Sequence, residues 1–106
     1  MLDSKSTRPF KRLKRHLTSE NLWLYVMSIL RKDGEAYAYT LPDEMERRFG
    51  FKCSRVMVYI VLHMLEFEKL IAAEEKGRRK YYKLTQKGEE TLDSAKEYLS
   101  MVSSSL

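Results

Sequence analysis

A chain of 106 residues that is 43% apolar and 33% charged predicts one folded domain, which buries roughly two-thirds of its unfolded surface. No apolar run reaches the roughly 18 residues of a membrane span, and the single cysteine excludes an intrachain disulfide. Two histidines and one cysteine do not define a tetrahedral metal site, and no phosphate-cradling glycine loop or nucleophile with a base is visible. We therefore expect a cytosolic protein that is not an enzyme, with no metal and no cofactor.

Positive charge is concentrated in two segments. Residues 1–17 hold six basic residues against the single acid Asp3, and residues 76–87 hold six basic residues and no acid. Because the net charge of the whole chain is only +5, the remainder of the chain is acidic. A polyanion responds to the local field within a Debye length of ~8–10 Å, so this pattern favours nucleic acid as the partner over an anionic membrane surface.

The N-terminal segment, residues 1–17, lacks steady periodicity and contains Pro9, which predicts a mobile arm that becomes helical near Phe10. A helix is then predicted over 19–32, capped by Thr18 or Ser19. The basic run of the arm is interpreted equally well as a solvated tail or as a nonspecific DNA contact. The candidate DNA-binding residues of the arm are Lys11, Arg12, Lys14 and Arg15.

A short helix, a turn and a long helix follow with the spacing of a helix-turn-helix motif. Thr40 is placed to cap the short helix and Gly50 to close it, while Ser54 is placed to cap the long helix. The N-terminal end of the second helix reaches base edges in this kind of docking. The candidate recognition residues are Lys52, Ser54, Arg55 and Tyr59, with His63 at the periphery.

The long helix is apolar on two sides. Its core face is predicted by the i, i+3, i+4, i+7 spacing of Val58, Val61, Leu62 and Leu65. Its far side carries Val56, Ile60 and Phe67. This second apolar side favours packing on the arm or on a partner subunit, which would leave the first one or two turns for DNA.

A basic hairpin is predicted from strands over 71–75 and 80–84, joined by the tip Lys76-Gly77-Arg78-Arg79. Such a wing lies along a minor groove or a phosphate strand, where arginine suits bidentate phosphate contact. The candidate wing residues for DNA binding are Lys76, Arg78, Arg79 and Lys80.

A final helix is predicted over about 86–102, capped by Thr85 and followed by a frayed end. One apolar stripe runs along it, which fits docking against the same helix of a second chain. The candidate dimer residues are Leu92, Ala95, Tyr98, Leu99 and Val102.

Three runs carry a resemblance to a known family: Val58-Tyr59-x-x-Leu62-x-x-Leu65-Glu66, then Leu70-Ile71, then Arg79-Lys80-Tyr81-Tyr82-Lys83-Leu84-Thr85-x-x-Gly88. Over roughly residues 22–100 the chain resembles the short form of the PadR family of winged-helix transcriptional regulators. Lys69 stands where that family has a glycine, Val56 and Ile60 replace a glycine and a proline, and Pro42 is an addition. MarR-like and ArsR-like regulators are competing winged-helix families.

The resemblance implies a homodimeric, repressor-type protein with the terminal helix at the dimer interface. It also implies a possible small aromatic effector, for which Trp23, Tyr25 and Tyr98 would line a pocket between subunits; plain core and interface packing is the simpler interpretation of these aromatics. Cys53 is interpreted as a half-buried turn residue. The alternative is redox sensing or an intermolecular disulfide, because a thiolate is favoured beside basic residues at a helix start.

The predicted fold is mainly α with a small β-hairpin: a winged helix-turn-helix with an added C-terminal dimerisation helix. Its parts are a basic arm over 1–17, the winged domain over 18–85, and the dimerisation helix with its frayed end over 86–106. The predicted function is a sequence-specific, double-stranded DNA-binding regulator that acts as a homodimer and represses transcription. The alternatives are a protein-interaction module and an architectural chromatin protein with little sequence preference.

Overall fold

The computed structural model describes residues 3–106, which form five α-helices and a three-stranded antiparallel sheet. The helices are α1 Arg8–His16, α2 Leu22–Asp33, α3 Leu41–Phe49, α4 Arg55–Phe67 and α5 Gln86–Ser105. The strands are β1 Ala36–Tyr37, β2 Ile71–Lys76 and β3 Arg79–Leu84, in the order β1-β3-β2. The predicted class, a mainly helical winged helix-turn-helix with a C-terminal helix, is confirmed. The short strand β1 was not predicted; it pairs Ala36 with Tyr82 and closes the sheet beside the wing.

The N-terminal segment is a regular helix from Arg8, earlier than the onset predicted near Phe10. The Thr7 hydroxyl accepts a hydrogen bond from the Phe10 amide at 3.4 Å. Pro9 lies in the first turn, where its missing N–H costs no helical hydrogen bond. Pro9, from which an irregular arm was predicted, therefore lies at the start of a helix. The first two residues of the predicted arm lie outside the described residues.

Three of the predicted helix caps are confirmed. Ser54 and Thr85 accept hydrogen bonds from the amides of Met57 at 3.1 Å and Gly88 at 3.0 Å, and Gly50 closes α3 at a φ of +77°. Thr40 is the N-cap residue of α3 as predicted, but its hydroxyl makes no capping hydrogen bond, and the N-cap of α2 is Asn21 rather than Thr18 or Ser19. The hydroxyls of Thr18, Ser19 and Thr40 instead donate to the preceding carbonyls of Lys14, Arg15 and Tyr37. Both helices are entered from a 3₁₀ turn, Ser19–Asn21 or Ala38–Thr40, so these hydroxyls face backward along the chain.

The core lies where α2, α3 and α4 meet the sheet and the start of α5. The predicted core face of α4 is confirmed, since Val58, Leu62 and Leu65 are buried and Val61 is half-buried. The side chains with the least exposure are Val26, Met27, Ile29, Leu30, Leu41, Met45, Val58, Leu62 and Ile71. Residues from helices far apart in sequence thus form one cluster, which fixes α4 against the sheet.

The turn from α4 into the wing contains a strained residue. Lys69 adopts a φ of +63°, the left-handed region that favours glycine. The Leu70 amide donates to Leu65 O at 2.9 Å and the Lys69 amide to Glu66 O at 3.0 Å, which is the Schellman pattern of a helix end. The chain therefore keeps a glycine-type helix end with a lysine in the left-handed position.

The base of α5 is held tightly against the rest of the fold. Arg31 of α2 contacts Glu89 Oε2 at 2.7 Å and Asp93 Oδ1 at 2.8 Å. A Cβ added to Gly88 would lie 2.0 Å from the Leu70 carbonyl oxygen, so only glycine fits there. Beyond this base, α5 continues to Ser105 rather than fraying after Val102, and the Ser105 hydroxyl donates to Met101 O at 2.8 Å.

Candidate nucleic-acid interface

The wing is a tight hairpin whose turn is shorter than predicted. Lys76 and Arg79 pair across the strands, which leaves Gly77 and Arg78 as the two-residue turn. Gly77 has a φ of +64°, as the first position of a tight hairpin turn of this kind requires. The predicted four-residue tip therefore contributes two of its residues to the strands, and Arg78 stands at the end of the wing.

Two of the four predicted wing residues, Lys76 and Lys80, lie near carboxylates of the same domain. Lys76 Nζ lies 2.8 Å from Glu35 Oε1, and this hydrogen bond raises the pKa of Lys76 and lowers that of Glu35. Lys80 Nζ lies 4.0 Å from Glu66 Oε1. Among residues 3–106, Arg78 has no carboxylate within ion-pair distance, and neither has Arg79, the first residue of β3. The positive charge of the wing that no carboxylate neutralises is therefore carried by Arg78 and Arg79.

A stack of arginine and tyrosine side chains connects the start of α4 to the wing. Arg55 Cζ lies 3.9 Å from the centroid of the Tyr39 ring, and Tyr39 stacks on Tyr37 with centroids 6.0 Å apart and an angle of 23° between planes. Arg79 Cζ lies 5.1 Å from the Tyr37 centroid, and the Tyr81 ring lies 5.8 Å from that of Tyr37. Cation–π contact orients both guanidinium groups while leaving their N–H donors unpaired. One continuous surface thus carries a helix-start arginine and a wing arginine.

The predicted recognition residues lie along the first two turns of α4 and the loop before it. Lys52 and Arg55 are exposed, while the Ser54 hydroxyl is committed to capping the helix. Tyr59 is exposed on the edge of α4. His63 lies one turn further along, in a shallow surface lined otherwise by Val56, Tyr59, Ile60 and Met64. Positive charge is therefore confined to the N-terminal end of the helix.

The outer face of α4 is apolar and open. The exposed fraction is 67% for Val56, 47% for Ile60, 61% for Met64 and 81% for Phe67. These side chains offer no donors or acceptors to base edges. Methyl contacts to thymine could use one or two of them, so most of this face has a different purpose or is covered in the assembled protein.

The four predicted arm residues lie on α1, and all are exposed. Arg15 Nε lies 3.6 Å from Glu20 Oε1, and His16 Nε2 lies 3.0 Å from Glu20 Oε2. Lys11, Arg12 and Lys14 have no ion-pair partner within the described part of the chain. The arm therefore presents positive charge on an ordered helix rather than on an irregular tail.

The predicted dimer stripe of α5 divides into two parts. Leu92 is buried in the chain's own core, where it helps to seat the base of the helix, and Ala95 is half-buried. Tyr98, Leu99 and Val102 are exposed, together with Met101. The outer half of α5 therefore carries the unpartnered apolar surface, while its inner half is used within the chain.

The aromatic residues considered for an effector pocket do not meet within one chain. Trp23 donates its indole N–H to Asn21 Oδ1 at 3.0 Å. Tyr25 packs edge-on against both Phe49 and Phe51, with ring centroids 4.8 Å apart in each case. Tyr98 is exposed on α5. For Trp23 and Tyr25 the structure agrees with the simpler interpretation as packing residues.

Cys53 is half-buried in the turn before α4, as the simpler interpretation predicted. Its sulfur lies 3.5 Å from the sulfur of Met45, and burial raises the pKa of the thiol. A raised pKa disfavours the thiolate, which argues against a reactive cysteine at this helix start. The apolar side of the turn outweighs the nearby basic residues.

Three residues of this surface were not predicted from the sequence: Tyr37, Tyr39 and Glu35. A tyrosine at every second position around Ala38 is the signal that could have indicated two aromatic rings on one side of the chain. No local pattern indicates that Glu35 neutralises Lys76, because the two residues are 41 positions apart.

The fold and this surface define the class of the protein: a winged-helix DNA-binding protein whose wing and helix start share an arginine-rich face. The Transcriptional regulator PadR-like family matches residues 26–94, most of the chain. The protein belongs to the PadR family of transcriptional regulators, as the sequence resemblance indicated. A search of curated proteins gave no significant match.

Solved structures give the same result. A PadR family transcriptional regulator from Eggerthella lenta superposes with a TM-score of 0.76 at 25% identity, covering 90% of this chain and 86% of that one. A PadR family regulator from Clostridium difficile gives 0.71 at 25% identity, covering 77% and 90%. A winged-helix DNA-binding protein from STIV shares the fold, with a TM-score of 0.69 at 23% identity over 77% and 89%. Among residues 3–106, no helix has the length and apolar composition needed to cross a membrane.

Proposed function

We propose that this protein binds double-stranded DNA sequence-specifically as a homodimer and represses transcription by occupying a site near a promoter. The stack that joins Arg55 through Tyr39 and Tyr37 to Arg79 is the observation that carries this proposal. It holds a groove-reading arginine and a phosphate-binding arginine on one surface, as docking of a winged helix on DNA requires. Membership of a regulator family supports the same function.

In this proposal the start of α4 enters a major groove and the wing follows the flanking backbone. Arg55 and Lys52 read base edges, with Tyr59 beside them, because long donor side chains at a helix start reach furthest into the groove. Arg78 and Arg79 contact phosphates, and the basic side of α1 adds sequence-independent affinity. Lys76 and Lys80 contribute less than predicted, because each already lies near a carboxylate.

The proposed dimer forms through the outer half of α5. Tyr98, Leu99, Met101 and Val102 are exposed along the end of a helix about 30 Å long. Pairing this helix with its symmetry mate would remove the stripe from water and repeat the DNA-binding surface about a two-fold axis. Half-sites would then lie about one helical turn, ~34 Å, apart.

Titration of duplex DNA at several salt concentrations tests the function. About six phosphate contacts per complex predict a slope near −5 in a plot of log affinity against log salt. A duplex from the protein's own promoter should bind more tightly than a random duplex of the same length. Equal affinity for the two would favour the architectural alternative, and affinity that does not depend on salt would rule out DNA binding through the arginines.

A second candidate function, a protein-interaction module, is favoured by one observation: the open apolar outer face of α4. Such a module would bind a partner through α4 and would retain this binding when Arg55 and Arg79 are both replaced by alanine. Loss of DNA binding in that double variant, with no protein partner captured by the wild type, would leave the regulator function as the better account.

A further inference from the structure

Besides the outer half of α5, two apolar surfaces lack a partner within residues 3–106. One is the outer face of α4 described above. The other is a stripe on α1 formed by Phe10, Leu13 and Leu17, of which Leu13 is 53% exposed. The spacing of the stripe is i, i+3, i+7, which places all three side chains on one side of the helix. A helix that exposes such a stripe is stable only when another surface covers it.

The opposite side of α1 is basic. Arg8, Arg12 and Arg15 lie there at helical spacing, and the helix has no acidic residue. The segment is therefore a short helix with one apolar and one strongly positive side. It lies outside residues 26–94, which match the family.

The position of α1 is fixed at its C-terminal end. The Asn21 side-chain amide donates to the His16 carbonyl, and the Tyr25 hydroxyl donates to the Leu17 carbonyl. With these hydrogen bonds in place, the apolar stripe stays exposed instead of packing on its own domain. A covering surface must then come from another molecule.

A groove between the start of α2 and the outer side of α4 has the matching chemistry. It has a volume of about 540 Å³, and its apolar lining includes Leu22, Trp23, Met57, Ile60 and Met64. Two acids, Glu20 and Glu68, belong to its lining, and Glu20 already contacts Arg15 and His16 of its own chain. The distance along α4 from Met57 to Met64 is ~10 Å, and α1 is ~13 Å long, so a helix of this length fits the groove.

We propose that α1 of one copy of this chain docks in the α2–α4 groove of a second copy, and that the exchange is reciprocal. Phe10, Leu13 and Leu17 fill the apolar groove, in the manner of an amphipathic helix in a hydrophobic cleft. Glu68, whose carboxylate has no ion-pair partner among residues 3–106, complements the basic flanks of α1. The proposal rests on the two-copy assembly included in the proposed function, but not on DNA binding.

This arrangement gives part of the apolar face of α4, Ile60 and Met64, a role. With its stripe buried, α1 turns Arg8, Arg12 and Arg15 outward above a recognition helix that carries positive charge only at its start. The partner's helix would thus supply the charge that the outer face of α4 lacks. DNA affinity and assembly would then depend on the same helix.

Cysteine cross-linking in the full-length protein tests the contact. In a Cys53→Ala background, one chain carries Leu13→Cys and a second, extended by a tag, carries Met64→Cys. After mixing and mild oxidation, we expect the linked product of unequal chains to dominate on a non-reducing gel. The matched control replaces Met64→Cys by Glu75→Cys, an exposed wing residue, and should give little product. Circular dichroism checks that each variant is folded.

Light scattering separates the possible results. We expect Leu13→Glu to raise the dimer dissociation constant at least tenfold, whereas Arg12→Glu, on the opposite side of α1, leaves the Leu13–Met64 cross-link in place. A dimer that persists without the cross-link would overturn the exchange and leave the proposed function intact. A protein that is monomeric at every concentration would overturn both the exchange and the homodimer. A link formed within one chain carrying both cysteines would show that α1 docks on its own domain, which also contradicts the proposal.

Discussion

The guanidinium of Arg55 lies against the ring of Tyr39, with Cζ 3.9 Å from the ring centroid. Arg55 is the first residue of α4, while Tyr39 belongs to the turn before α3, so the contact joins both helices of the helix-turn-helix motif. Removing the ring in Tyr39→Leu should free the guanidinium to sample other rotamers. An exposed cation–π contact contributes about 0.5–1 kcal/mol, so specific DNA affinity should fall about two- to fivefold.

Tyr39→Phe is the matched control, because it keeps the ring and removes only the hydroxyl. It should bind specific DNA as the wild type does. If both variants lose affinity equally, the hydroxyl acts on DNA directly and the positioning role is wrong. Measuring Arg55→Ala alone and together with Tyr39→Leu would give the coupling between the two residues, which should be non-zero.

The wing arginines and the wing lysines should differ in their contribution to salt dependence. Arg78→Ala and Arg79→Ala should each reduce the slope of log affinity against log salt by about 0.9, the value for one lost phosphate contact. Lys76→Ala should change the slope much less, because Lys76 is held by Glu35 at 2.8 Å. Affinity measurements on one duplex at four or more salt concentrations make the comparison. A Lys76 effect as large as that of Arg78 would show that the ion pair opens on DNA.

Lys69 at a φ of +63° predicts an unusual stabilising substitution. The left-handed conformation costs a residue with a side chain roughly 1–2 kcal/mol, and glycine avoids this cost. Part of the resulting stabilisation is offset because glycine has greater conformational freedom in the unfolded chain. Lys69→Gly should therefore raise the free energy of unfolding by up to about 1 kcal/mol, measured by denaturant titration. Lys69→Ala removes the same charge without relieving the backbone, and it should give no such gain. A stabilisation of equal size in both variants would point to charge rather than strain.

The ion pairs of Arg48 predict a dependence of stability on acid. Arg48 contacts Asp33 Oδ2 at 2.6 Å and Glu44 Oε2 at 2.8 Å. Hydrogen bonds from arginine lower the pKa of both carboxyl groups in the folded protein: Arg48 acts on Asp33, and Arg47 and Arg48 act on Glu44. The folded state therefore binds these protons less readily than the unfolded state. The contribution of these two carboxylates to the free energy of unfolding is complete above their ordinary pKa. It is lost as the pH falls below about 4.5.

Arg48→Met should accordingly be less stable than the wild type at neutral pH and should lose less stability on acidification. Thermal unfolding followed by circular dichroism between neutral pH and about pH 3 measures both effects. Arg12→Met removes a positive charge from α1, far from this cluster in sequence, and should leave the acid dependence unchanged. An acid profile for Arg48→Met that is parallel to the wild-type profile would show that other carboxyl groups dominate.

The sequence alone determined the features that depend on neighbouring residues along the chain. Ser54 and Thr85 cap their helices, Gly50 closes α3, and Val58, Leu62 and Leu65 form the core face of α4. Hydrogen bonds of a cap and the periodicity of a helix act over three to four residues, so a local pattern is enough to specify them. Local patterns also placed the wing, and the resemblance of three sequence runs indicated the family.

Only the tertiary structure decided which of the predicted residues keep free charge and which surfaces remain uncovered. The pairing of Lys76 with Glu35, the burial of Leu92 and the stacking of Arg55 on Tyr39 all join separate elements of the fold. Such contacts depend on how helices and strands pack against one another, because side chains distant in sequence interact only once packing brings them within a few ångströms. For that reason the sequence indicated where positive charge is concentrated, whereas the fold determined that Arg55, Arg78 and Arg79 present it.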